Sequence, residues 1–382
     1  VQHHAAPAGS TGHAGGVPRK LRSTGLQGST WHGSTTARND AGDNAPLPSN
    51  AMIPMAQRID LHSHVIPQRF LDALAADPAR FNARVEQRGE QRFLVRGSHA
   101  VPLDRAFHDA DAKVEKMDRL GLDVSVISVG PPAYCYWLPA DAGLAAARLV
   151  NDGIADMVAA HPSRLQGMAS LPMQDPDAAI AELERARKEH GFRMVETGTS
   201  IEGELLASMK FRPVLKTIEQ LGMSLFTHPY QCVAKGGMDD YYLQNFIGYP
   251  LDTTIMVAHL IFSGALDDCP GLKIVLPHAG GFVPYQIGRF DHGFEVRTEA
   301  KKHIAKHPTQ YRRRFWYDAL AHLPQSVRHL VDTMGADRVV IGTDCPFDMA
   351  DFDPLANIEK IPRLSDEERE WIHGRSAMAL LG

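Results

Sequence analysis

The sequence predicts a single α/β domain folded as a closed (β/α)8 TIM barrel, with a small insertion between strands one and two. From residue 58 onward, eight short apolar runs, most of them rich in β-branched residues, alternate with stretches of helical spacing. Strand-helix alternation repeated this many times suits a closed parallel barrel better than an open sheet. Four of the run ends carry residues able to bind a metal or move a proton, on the face where barrels of this kind build their sites.

Taken in order, Val1 to about Ala51 is a different substance. It is rich in Gly, Ser, Ala, Thr and His and nearly free of large aliphatic residues. Such a stretch cannot bury enough apolar surface to offset its ordering entropy, so it is expected to be disordered, as a leader, tag or mistranslated segment. Ser49-Asn50-Ala51-Met52 reads as a cloning scar before a start methionine, which leaves 52–382 as the catalytic domain. The strands are expected at Arg58–His64, Val124–Val129, Leu165–Leu171, Met194–Gly198, Ser224–His228, Ile274–His278, Phe315–Ala319 and Val339–Asp344. Between the first two, Leu71–Asp111 is long and mixed, enough for a helix and a small hairpin over the barrel mouth. Asp177–His190 is a clear helix: Ala178, Ile180, Ala181 and Leu183 recur among charged residues. Asp366–Leu381 reads as a closing helix, with Ser365 as N-cap and Glu368 completing a capping box.

The bulk properties narrow the function. Hydrophobic residues make up 44% and charged residues 22%, ordinary values for a globular enzyme. A net charge of −5 supplies no basic field for nucleic acid or anionic membrane, and no apolar run is long enough to span a bilayer. The four cysteines are scattered without a CxxC pair, which argues against a disulfide framework or a zinc ribbon and for the cytoplasm.

The chemistry gathers at the strand ends. Strand one ends Asp60-Leu61-His62-Ser63-His64, and alternate residues share a face, so His62 and His64 point together into the barrel. Strand five ends at His228, strand six at His278 and strand eight at Asp344. A lone His at a strand end is most often structural, and an Asp before Cys-Pro can simply cap a helix. Two imidazoles side by side repel when charged and chelate when neutral, and all five residues fall on one face. Three His and a carboxylate suit one divalent metal, zinc first, with manganese or iron as alternatives, and an open position for water or substrate. Glu196, near the end of strand four, can bridge a second metal, but is rather expected to support the ligands from behind or to sit in a salt bridge. His322 reads as a pocket residue or a surface turn, and Tyr134 with Trp137 as an aromatic wall or a helix-capping loop. No base stands beside Cys345 to make it a nucleophile.

These residues, within IDLHSHVIPQRF, KVEKMDRLGLDVSVIS, LVNDGIADMVAAHPSRLQGMASLPMQD, LFTHPY, LIFSGALDDCPGLKIVLPHAGGFVPYQIGRFD and DRVVIGTDCPFDM, give the chain from about Arg58 to Gly382 a clear resemblance. It resembles the amidohydrolase superfamily and, within it, the family of 2-amino-3-carboxymuconate 6-semialdehyde decarboxylase and its relatives. The resemblance implies metal ligands His62, His64, His228 and Asp344. It also implies a catalytic centre in which His278 is the acid/base beside Asp344, and an Arg289 that binds a substrate carboxylate in the neighbouring subunit's site. One departure stands out. The family's second substrate-binding arginine aligns with Val101, with Arg96 or Arg105 as possible replacements, which puts that exact substrate in doubt.

The expected activity is therefore metal-dependent, non-oxidative decarboxylation of a small unsaturated or aromatic carboxylic acid by a homodimer. Hydrolysis of a lactone, amide or ester, or hydration, is the alternative on the same barrel. A non-catalytic binding barrel is the alternative of a different class, disfavoured because such a polar cluster costs stability without a metal to satisfy it.

Overall fold

The computed structural model describes residues 57–234 and 236–382, which belong to one compact unit. The leader expected over residues 1–51 lies outside them. Eight parallel strands form one sheet in sequential order: β1 Ile59–Val65, β2 Val124–Val129, β3 Leu165–Ser170, β4 Met194–Gly198, β5 Ser224–His228, β6 Lys273–Leu276, β7 Phe315–Asp318 and β8 Val339–Val340. The chain just beyond β8 returns to β1: the Leu61 amide donates to the Ile341 carbonyl at 2.9 Å and the His64 amide to the Cys345 carbonyl at 2.8 Å. That seam brings the predicted (β/α)8 barrel to near closure.

Side-chain alternation fills the barrel. Ile59, Leu61, Val124, Val126, Met168, Met194, Phe226, Val275, Trp316 and Val340 form one buried cluster, and the C-terminal residues Ala377, Leu380 and Leu381 belong to it at the end opposite the site. The alternate residues of the same strands, such as Ile127, Val195, Leu225, Ile274 and Tyr317, pack into the larger cluster shared with the surrounding helices. Strand β1 breaks this parity once. Asp60 pairs with Ser125 but Ser63 with Ile127, so one extra residue is taken up between them. The slip lets Leu61 fill the interior while His62 and His64 still face inward one layer higher, as irregularities beside active sites commonly do.

Most strand ends fall within a residue of the sequence expectation, and two strands stop shorter, each for a local reason. β6 stops at Leu276 rather than His278, because Pro277 offers no N–H to a ladder and His278 and Ala279 turn left-handed at φ 53° and 55°. β8 stops at Val340 rather than Asp344, and the segment after it keeps only isolated bridges to β1. The closing helix runs from Asp366 to Leu381 and is capped by Ser365 and Glu368, both as expected, but it widens into a π turn over Trp371–Arg375. Gly374 sits on that turn against the carbonyl of Gln57, where a Cβ would collide. The insert holds the expected helix, Gln68–Ala76, but its sheet is a three-stranded meander, Arg84–Arg88, Gln91–Arg96 and His99–Pro102, rather than a hairpin. Among the described residues no helix is long and apolar enough to cross a membrane.

Candidate active site

The strand ends bring all five predicted residues together. His62 Nε2 lies 3.1 Å from His64 Nε2. Asp344 Oδ1 lies 3.4 Å from the first of these and 3.2 Å from the second. The His228 ring stands 5.2 Å from that of His62, 5.1 Å from that of His64 and 5.0 Å from that of His278, centroid to centroid. One potential donor atom from each of His62, His228, His278 and Asp344 falls within 4.8 Å of the others. His62, His64, His228 and Asp344 are buried, and His278 is partly so. Gly342 makes the approach of the last segment possible, since a Cβ there would lie 2.6 Å from that of Asp318 and 2.9 Å from that of His62.

The orientation of the rings is set from behind. His62 Nδ1 meets Asp318 Oδ2 at 2.7 Å, His64 Nδ1 meets Ser128 Oγ at 3.3 Å, and His228 Nδ1 meets the Pro229 carbonyl at 2.7 Å. With a proton on each outward Nδ1, each Nε2 presents a lone pair to the centre. There, His228 Nε2 and Asp344 Oδ1 have no hydrogen-bond partner; the Asp344 oxygen is close to two imidazoles but out of alignment with both. Buried acceptors without donors are rare and costly, and a divalent cation satisfies this set of three nitrogens and one oxygen. The residues present therefore fit a metal. His278 differs from the three, because its ring Nδ1 is unpartnered and only its backbone is tied down.

Electrostatics divide the imidazoles differently: without a metal, the flanking carboxylates favour the charged ring of His62, whereas His64, His228 and His278 are all held neutral. Burial works against charge on every imidazole. On His62 it is outweighed by Asp344 and Asp318, which hold the pKa up at about 10. Burial, with His62 adding to it, pushes His64 down to about 4 despite Asp344. Burial and the neighbouring imidazoles keep His228 well below its ordinary range. Asp344 is buried too, yet His62 and His64 hold it well below the usual carboxylate range, so it is ionised. Burial, with His62 beside it, also lowers His278.

The site opens into a cavity of about 590 Å³ whose lining includes His278, Asp344, Phe246, Phe282, Tyr285 and His322. His322 is thus a pocket residue, held at φ 52°. Tyr134 and Trp137 are not among the cavity's lining residues. Tyr134 stacks on Tyr136 and donates to Glu196 Oε1 at 2.7 Å, while Trp137 carries the guanidinium of Arg96 at 3.9 Å over its ring. Arg105 is exposed and paired with Asp109, and Val101 lies on the last strand of the insert meander. Burial raises Glu196 to about 8, which suits a neutral buried acid. The Cys345 thiol is likewise pushed up by burial, to about 11.

Three supporting residues escaped the sequence reading. Asp318 is the last residue of β7 and points inward, a position that parity alone could have flagged. Ser128 occupies the matching inward place on β2. Lys113 carries no sequence signal: it looks like a solvated residue of the helix Ala110–Leu120, yet it is fully buried. Its Nζ donates to the carbonyls of His64 and Cys345 at 3.0 and 3.1 Å, tying β1 to the segment after β8.

Comparison with known proteins adds four findings. A family model described as Amidohydrolase matches residues 59–382. A 2-amino-3-carboxymuconate-6-semialdehyde decarboxylase from Dictyostelium discoideum is 31% identical over 328 residues, 85% of this chain and 91% of that one. Among solved structures, the Metarhizium anisopliae IDCase in apo form superposes with a TM-score of 0.75 at 23% identity, covering 86% of this chain and 97% of its own. A dihydroxybenzoic acid decarboxylase from Polaromonas sp. JS666, with bound manganese and the inhibitor 2-nitroresorcinol, gives 0.70 at 24% identity, covering 86% and 97%.

Proposed function

The chain belongs to the amidohydrolase family, and from that premise we propose that it is a metal-dependent, non-oxidative decarboxylase of a small aromatic or unsaturated carboxylic acid. One observation carries the reading. Three imidazoles are locked by their Nδ1 partners so that Nε2 faces Asp344, while a fourth, His278, keeps its ring free at the mouth of the same cavity. The 31% identical decarboxylase, covering most of both chains, supports the choice of reaction.

In this reading His62, His64, His228 and Asp344 hold one divalent metal. When bound, the metal supplies a Lewis acid that steadies the substrate's oxygens and the negative charge developing beside them. His278 carries the proton. Burial disfavours its charged form, so a protonated His278 gives its proton up readily. Its proton goes to the carbon bearing the carboxylate. The bond to the carboxylate then breaks, carbon dioxide leaves, and the bonding electrons return to the ring or chain. Phe246, Phe282 and Tyr285 give the cavity apolar walls suited to a planar substrate.

Zinc is the metal that three imidazoles and a carboxylate favour. Manganese, found in the Polaromonas structure, is the competing identity that metal analysis would decide. We assign the active form to a homodimer in the cytoplasm. Arg289 is exposed on the helix Val283–Val296 and makes no ion pair among the described residues, while exposed Tyr285 lies one turn before it at the cavity rim. A second copy covering this rim would bring Arg289 to the partner's substrate. The free, buried thiols of Cys135, Cys269 and Cys345 suit a reducing compartment.

The test is a panel of planar carboxylates incubated with metal-loaded protein, with carbon dioxide release measured directly. Release that depends on the metal and on His278 supports the proposal. Hydrolysis of esters or lactones with no carbon dioxide from any acid would replace it with the hydrolase reading.

A further inference from the structure

Asp318 is fully buried, and four donors converge on its two oxygens. Oδ2 meets His62 Nδ1 at 2.7 Å and accepts from the His278 amide at 3.0 Å. Oδ1 accepts from the Ala279 amide at 2.7 Å and from the Leu320 amide at 3.1 Å. His278 and Ala279 are consecutive residues in the left-handed region, at φ 53° and 55°, which neither side chain favours. Successive amides in such a turn form a concave nest for an anion, and Asp318 is the anion that fills it.

We propose that Asp318 is a positioning residue that fixes the distance between metal and proton carrier, because one carboxylate holds both the His62 ring and the backbone turn that presents His278. The naming of those two roles rests on the proposed function; the convergence of donors does not. A neutral amide cannot replace the carboxylate. Asn has one acceptor oxygen and one NH2 group, whereas both faces of Asp318 are met by donors. If the NH2 faces His62, that ring must move its own proton to Nε2 and ceases to be a ligand. If the NH2 faces Ala279 and Leu320, the left-handed turn loses its anchor and His278 drifts.

Asp318→Asn is the decisive variant, compared with the wild type in a chelator competition for zinc and in steady-state kinetics at saturating metal. The expected result is zinc affinity lower by about 10- to 100-fold, with kcat lowered and KM nearly unchanged once the metal is saturating. A second change separates the two functions. Ala279→Gly removes the Cβ that resists the left-handed turn, so adding it to Asp318→Asn should recover part of kcat and none of the affinity. Wild-type affinity and wild-type kcat in Asp318→Asn would overturn the proposal, as would equal recovery of both by glycine. Should Asp318→Asn fail to fold, imidazole 15N shifts of the zinc-loaded wild type give the answer. A proton on His62 Nδ1 supports the assignment, and one on Nε2 overturns it. The affinity and 15N readouts do not involve decarboxylation, so they stand or fall apart from the proposed reaction.

Discussion

His228 directs its Nδ1 to the carbonyl of Pro229 at 2.7 Å, and the opposite nitrogen of the same ring, Nε2, has no hydrogen-bond partner. A ring fixed by its own neighbour cannot turn to relieve the buried lone pair, so His228 is committed to whatever occupies the centre. We expect purified protein to carry about one divalent metal per chain, and His228→Ala or Asp344→Ala to carry about a tenth of that or less. Metal analysis after gel filtration is the check, with turnover falling in parallel. Full metal content in either variant would remove that residue from the ligand set.

His278 should behave differently. Its ring Nδ1 is unpartnered while its backbone amide is tied to Asp318, an arrangement for moving a proton from a fixed place. His278→Asn should keep the metal and lose roughly 100-fold or more in kcat. The four donors of His62, His228, His278 and Asp344 meet closely enough that His278 itself is a geometric candidate for the metal. Loss of metal in His278→Asn would therefore move it into the ligand set.

Much of this site was legible in the sequence because barrel parity is simple. His62, His228 and Asp344 stand at or just past inward strand positions, and the apolar runs before them mark where the strands begin. What stayed hidden depended on tertiary contact. Asp318 and Lys113 act by touching groups 256 and 49 residues away, the His62 ring and the His64 carbonyl, and no local pattern records such partners. The insert's third strand was missed because His99–Pro102 is short, half exposed and ends in Pro, so its alternation is faint. The π turn at Trp371–Arg375 depends on Gly374 meeting the carbonyl of Gln57, which helical periodicity does not encode.

Glu196 makes a stability prediction whose sign follows from burial. Its pKa rises from the ordinary 4.5 to about 8, chiefly because burial disfavours the charged form. Between those values the folded chain holds a proton that the unfolded chain releases, so the contribution of Glu196 to stability declines as pH rises through this window. Glu196→Gln stays neutral and keeps an oxygen for the Tyr134 hydroxyl. The variant should melt with the wild type near pH 4.5 and exceed it by roughly a few degrees at pH 8. Parallel melting curves across that range would mean that Glu196 is ionised in the folded protein.

The last expectation concerns assembly. Arg289 lies eleven residues beyond His278, six residues into the helix Val283–Val296, which carries it away from its own barrel mouth by about 9 Å of rise. Near it in sequence, Asp291 accepts from the amide and hydroxyl of Thr309, and no ion pair joins it or Glu295 to Arg289 among the described residues. In the proposed homodimer, a guanidinium left exposed in this way, one turn from the cavity-rimming Tyr285, would bind a carboxylate across the twofold interface. Arg289→Ala and His278→Ala chains should each be nearly inactive alone. Refolded together, they should regain about a quarter of wild-type activity, since half of the chains pair as mixed dimers and each mixed dimer rebuilds one complete site of two. Mixed dimers that form without regaining activity would place Arg289 outside the neighbouring site, and a fully active monomer would do the same.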